Sequence, residues 1–289
     1  MKDKAHAIWL IPLLFLLLSA GPSAANIFTQ CPGDVDGDLV PDEFIPAGYP
    51  DEGLPNPDYI DPATGRTVKC MHITGGDGFS KMADDYDQYI FSFGLVGSTA
   101  QPSTIDDTQV ISEMTLKAQT PAPIIVLNEG DELWLTMSNV GMVMRPDLFD
   151  PHSVHYHGFP NAAPIFDGLP EPSPTPIMGA SLTYYYKAAV PGTYFYHCHV
   201  EAAEHMQMGM IGNAWIHPAQ NGDVLPVGGD VYGRTFNKFV YNDGDGSTGY
   251  NVEYPIQLIG FDSEFHDASI NVAPLPFAGM YDNSHGFSL

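Results

Sequence analysis

The chain has 289 residues and a formal net charge of −25 at pH 7, from 35 acidic against 10 basic side chains. That acidity argues against nucleic acid and anionic membrane as partners, since both repel it. The surplus carboxylates serve solubility outside the cell or attract cations, metal ions among them.

Residues 1–25 read as a secretory signal. Lys2 and Lys4 make a positive start, Ile8 to Leu18 is an apolar run, and Ser23-Ala24-Ala25 offers small residues for cleavage. The run is shorter than the roughly 20 apolar residues of a membrane span. An uncleaved anchor is therefore the weaker reading, and no stable span is expected after cleavage. The expected product starts near Asn26 and is secreted, periplasmic or held at the cell surface.

Residues 26–83 form an acidic segment rich in Pro and Gly, with little periodicity, and are expected to be irregular. Within it Asp34, Asp36, Asp38 and Asp42 alternate with other residues, a spacing that suits the several oxygen ligands of Ca2+. The glycine falls early for an EF-hand and no glutamate closes the loop, so a solvated acidic turn is an equal reading. Export permits disulfides, and the chain has three cysteines. Cys31 and Cys70 flank the acidic segment and are the natural pair. Cys198 is left over, and ligation of a metal explains a free thiol in an oxidising compartment.

From about Tyr86 the pattern turns to strands. Tyr89–Phe93, Ala122–Leu127, Glu132–Met137, Ser181–Tyr186 and Thr193–Val200 are β-rich runs, punctuated by the turns Asn128–Asp131 and Val190-Pro191-Gly192. Short strands with no long helix predict an all-β sandwich or barrel over residues 84–218. A Gly-, Asp- and Asn-rich linker opens residues 219–289. Tyr254–Gly260 reads as a new strand, with too little chain after it to fold alone.

The chemistry sits in two short segments. His152, His155 and His157 make one; His197-Cys198-His199, with His205 and Met210, makes the other, and together they hold six of the eleven histidines. In a strand, residues i and i+2 share a face and i+1 points away. His197 and His199 therefore face one metal and Cys198 another, and the cysteine's main chain joins the two centres. His155 and His157 share a face by the same rule and join His197 and His199. His152 falls beside Cys198. A set of Cys198, His152 and His205 with a weak axial Met210 is the His2Cys-plus-Met set of blue copper, whose soft sulfurs favour copper over a closed zinc site. Met206 and Met208 are read as packing.

With these residues, the segment from Tyr86 to Pro218 resembles a cupredoxin domain of the multicopper oxidases. The motifs that carry the resemblance are His155-Tyr156-His157-Gly158, Asp167-Gly168, Pro176-Ile177-Met178-Gly179 and the run from Pro191 to His199. The resemblance implies a cupredoxin-like Greek-key fold, with type 1 copper on His152, Cys198, His205 and Met210. It places type 2 copper on His155 and type 3 copper on His157, His197 and His199. Asp167 resembles a carboxylate that moves protons towards reduced oxygen; an Asp-Gly turn is the plain alternative.

There are three departures, of which the one at Ser153 is minor. The spacing from His199 to His205 is longer than usual in the family, and Ser153 stands where proline is common. The family's trinuclear cluster also takes eight histidines from two domains, whereas this chain offers four. Tyr254 onward, through Phe261–His266 and Pro274–Ala278, resembles the opening of a second cupredoxin domain. The expectation is an oxidase that passes electrons from a small reducing substrate or metal ion to O2. Its cluster would be completed by a homo-oligomer or a further cupredoxin domain. The alternative is a blue-copper electron-transfer module. Copper nitrite reductase is disfavoured, because that class usually lacks a histidine at the position of His199.

Overall fold

The computed structural model describes residues 27–34, 37–41, 59–160, 162–226 and 232–272. Residues 1–25, expected to be a signal, lie outside the described residues, as do Asp36, Asp42 and Pro274–Ala278. Among those described, no helix is long and apolar enough to cross a membrane.

Two sheets face each other. The first joins β1 (Ile60–Asp61) and β3 (Asp87–Ser98) to one edge of β2 (Arg66–Lys81), and β5 (Glu132–Gly141) then β7 (Ser181–Lys187) to the other. The second has the order β4 (Ile125–Asn128), β9 (Ile211–His217), β8 (Gly192–His197), β6 (His155–His157). β2 with β5 and β4 with β9 run parallel, and the other pairs are antiparallel. Strict alternation of buried and more exposed residues along β4 and β9 is the signature of a strand with one face on a core. That core joins Ile73, Phe91, Leu135 and Tyr184 of the first sheet to Ile125, Leu127, Tyr196 and Ile216 of the second. The all-β sandwich expected from the sequence is the fold.

Among the described residues, three α-helices lie outside the sheets: α1 (Val110–Met114), α2 (Ala202–Met208) and α3 (Ser263–Asn271). β10 (Leu225–Pro226) pairs antiparallel with β11 (Thr235–Phe236). The Cys31–Cys70 disulfide is present and ties the N-terminal segment to β2, leaving Cys198 buried as a free thiol.

Two sequence expectations need correction. Residues 26–83 are not irregular throughout: β2 is a 16-residue strand and lies inside the first sheet, so the sheet begins well before residue 84. Its Gly75, Gly76 and Gly78 are there because other groups crowd the strand. A Cβ on Gly76 would meet Val140 Cγ2 at 2.8 Å, and one on Gly78 would meet Ala118 O at 3.0 Å. Tyr254–Gly260, expected as a strand, pairs with no strand among the described residues. Pro255 cannot donate to a ladder, and Tyr254 and Leu258 stand 75% and 91% exposed.

His72 on β2 makes the fold sensitive to acid. It is buried, with Nε2 2.8 Å from Ser138 Oγ and Nδ1 3.4 Å from Thr29 Oγ1. Burial, partly offset by Asp107, lowers its pKa from 6.5 to about 4. As pH falls below 6.5 the unfolded chain takes up this proton first, so stability present above pH 6.5 is lost progressively towards pH 4. The loss is on the order of 3 kcal/mol. Urea unfolding at the two ends of that window is expected to show it, with a smaller pH slope in His72→Gln. Equal slopes in the two proteins would contradict the assignment.

Candidate metal centre

The register of β6 against β8 sets His155 opposite His197 and His157 opposite Phe195. Directly opposed residues share a face, so these imidazoles gather on one side of the second sheet. Past the end of β8, the Cys198 N–H donates to Met210 O at 3.2 Å and the His199 N–H donates to Ser153 Oγ at 3.1 Å. These two bonds stitch the cysteine to the segments that carry the other candidate ligands.

Cys198, His152 and His205 are all fully buried. Cys198 Sγ lies 3.2 Å from His205 Nδ1 and 3.9 Å from His152 Nδ1, and it accepts the Ser153 N–H at 3.5 Å. The ligand atoms of the three side chains fall within 4.8 Å of one another. Met210 is buried beside them; its N–H donates to His205 O at 2.8 Å while its own carbonyl holds Cys198. Burial, then the neighbouring His205, pushes His152 well below its ordinary pKa, which leaves a neutral ring with a lone pair for a metal. Burial lowers His205 as well, but the Asp150 carboxylate and Cys198 outweigh it and push the ring up to about 10. A positive charge is therefore favoured next to the sulfur, and a bound cation takes the place of that proton. A buried sulfur with two converging imidazole nitrogens fits copper.

Gly75 of β2 makes room for this site. A Cβ there would stand 2.7 Å from Cδ2 of the His152 ring. Only glycine lets the ring lie against the strand, which is why a strand in this position carries one.

On the other face, the His155 ring centre lies 5.2 Å from that of His197, 5.1 Å from that of His199 and 5.9 Å from that of His157. His155, His157 and His197 bring ligand atoms within 4.8 Å of one another, and His199 is not in that set. His155 Nδ1 is 2.6 Å from Asp167 O, and His197 Nδ1 is 2.9 Å from Cys198 O. With Nδ1 donating to a carbonyl, each ring turns its Nε2 lone pair outward, the arrangement metal-bound histidines use. His157 stacks on Phe195 at 4.5 Å and places Nδ1 3.4 Å from His197 Nε2. Burial, with repulsion from His155, His199 and His157, lowers His197 to about 4, so it is neutral near pH 7.

Asp167 meets His155 chiefly through its main-chain carbonyl; its carboxylate Oδ1 is 3.7 Å from Nδ1. In the N-terminal loop, Asp34 accepts the Gly37 and Leu39 N–H groups at 2.7 and 3.0 Å, and Asp38 accepts that of Val40 at 2.8 Å. These carboxylates close a turn. The sequence reading did not single out Gly75 or Asp150, whose Oδ2 lies 3.6 Å from His205 Nε2. It passed over Ser153 as a minor departure. A proline there would remove both the N–H facing Cys198 and the hydroxyl holding His199.

Residues 99–221, which include every candidate copper ligand, match the family model for multicopper oxidases. The chain is 33% identical over 135 residues to a laccase of Aspergillus fumigatus, 46% of this chain and 21% of that protein. It is 36% identical over 104 residues to the multicopper oxidase MmcO of Mycobacterium tuberculosis, 35% of this chain and 19% of that one.

Residues 99–221 are thus similar to the multicopper oxidase family.

The multicopper oxidase match spans about a fifth of those two relatives' length. Among solved structures, a multicopper oxidase crystal structure is 25% identical with a TM-score of 0.41, covering 55% of this chain and 45% of that one.

Proposed function

We propose that the chain is an exported oxidase unit in which electrons from a reducing substrate enter at the Cys198 site and leave through the Cys198 main chain. Bound copper supplies one-electron redox chemistry there and, at the histidine cluster, reduction of O2 to water with four electrons and four protons. His152, Cys198, His205 and Met210 hold type 1 copper; His155 holds the type 2 ion; His157, His197 and His199 hold the type 3 pair.

The observation that carries this reading is the junction at Cys198. Its sulfur faces two imidazole nitrogens, while its carbonyl accepts from His197 Nδ1 at 2.9 Å on the opposite side. One residue thus touches both centres. Asp150, beside His205, supports electron entry at that edge from a small reductant or a metal ion. Asp167 is the proton-relay carboxylate, next to His155. Half of the cluster's histidines come from a further cupredoxin domain or a second copy of this chain.

Copper content together with native mass tests the assembly. The expected result is an oligomer that carries copper beyond one ion per chain. A monomer with one ion per chain would instead make this a blue-copper electron-transfer module.

A further inference from the structure

His266, on α3, belongs to neither ligand set, yet it is fully buried. Its Nε2 lies 2.9 Å from Gln207 O, its Nδ1 contacts Tyr89 O, and the Phe261 ring packs on it at 4.9 Å. Gln207 sits on α2 between His205 and Met210. Tyr89 sits on β3, where Phe91 sets its ring edge-on to His205 at 6.0 Å. The same strand holds the end of α2: Ser92 Oγ donates to Gly209 O at 2.7 Å. Gly209 has φ +118°, and a Cβ there would meet Thr120 Oγ1 at 2.9 Å and Phe91 O at 3.1 Å.

Helix α2 needs such support. It has seven residues, and its N-cap Glu201 sits at φ 46° with no side-chain cap bond. So short a helix does not hold its shape by its own backbone bonds. What it packs on must fix the direction of His205 and the path to Met210.

Helix α3 has anchors of its own. The Asp262 carboxylate caps it by accepting the Glu264 and Phe265 N–H groups at 3.1 and 3.3 Å. Arg145 Nη1 donates to Ser269 O at 2.6 Å, and Tyr86 Oη donates to Asp267 Oδ1 at 2.9 Å.

We propose that His266 is a positioning residue for the type 1 copper site: by tying α2 to β3 it fixes His205 and Met210 relative to Cys198. The proposal rests on the copper reading above. Groups bonded directly to a metal's ligands hold those ligands in place, and losing one typically costs about 10- to 100-fold in metal affinity; His266 acts one residue further out, through Gln207 and Tyr89, so its loss costs less.

The test is copper(II) titration of the full chain, with visible absorption and electron paramagnetic resonance of the loaded protein. His266→Ala is expected to bind copper more weakly, by up to about 10-fold, and to shift both spectra. His266→Gln keeps an N–H donor and is expected to restore part of the loss. Asp267→Ala is the control, since that side chain ties α3 to Tyr86 and Gln88 without reaching α2. It should lower thermal stability and leave copper affinity and spectra unchanged. If His266→Ala does not fold, Phe261→Ala, which frees one side of the imidazole, should shift the spectra in the same direction by less.

Wild-type affinity and spectra in a folded His266→Ala would overturn the proposal, as would unchanged spectra in Phe261→Ala when the first variant fails to fold. Equal shifts in Asp267→Ala would also overturn it, because any loosening of α3 would then suffice. A wild-type protein with no blue copper signal would instead defeat the function proposed above, so the two failures are told apart.

Discussion

His157→Ala and His199→Ala are each expected to abolish oxygen reduction in the assembled protein while leaving its blue colour intact. The separation follows from the geometry around β8. His157 and His199 lie on the face shared with His155 and His197, whereas the sulfur of Cys198 points into the core between the sheets. The ring contacts of His157 and His199 are with His155, His197 and Phe195. On the function proposed above the loss should be large, because these histidines would hold the copper that receives the electrons. His157 is also exposed and His199 half-buried, so truncating either ring leaves the core packing in place. Steady-state oxygen consumption, measured beside the visible spectrum of the same sample, checks both parts. Unchanged turnover in both variants would reject the histidine cluster as the site of oxygen reduction.

Much of this site was legible in the sequence because it depends on local spacing. Alternation along a strand is enough to put His197 and His199 on one face and Cys198 on the other, and cysteine arithmetic singles out Cys198 once Cys31 and Cys70 pair. The strands with period-two burial, such as β9, were legible for the same reason. What escaped depends on contacts between distant segments. The glycines of β2 resemble loop residues until His152, Val140 and Ala118 are seen pressing on them. Tyr254–Gly260 has the composition of a strand, but a strand also needs a neighbour to pair with. His266 reaches Tyr89 across 177 residues of sequence, and no local pattern announces that contact.

Ser153 is the instructive case between these extremes. Its position between two histidines was plain, but its two roles were not. Only the fold brings its N–H to Cys198 and its hydroxyl to His199, across separations of 45 and 46 residues.

The central claim is that Cys198 gives its sulfur to a mononuclear copper and its main chain to the path towards the cluster. Cys198→Ser tests it most directly, because serine keeps the size and backbone of the residue and removes only the soft ligand. The change leaves the main-chain bonds at Met210 O and His197 Nδ1 available, and it deletes the sulfur from between His205 and His152. Intense blue absorption requires charge transfer from a thiolate, which an alkoxide or hydroxyl does not supply, so the effect should be complete rather than graded. The measurement is the visible absorption spectrum of copper-loaded wild type and Cys198→Ser, with copper content determined on both samples. An intense blue band in the wild type that is absent from the variant is the predicted result. A blue band that survives in Cys198→Ser would contradict it.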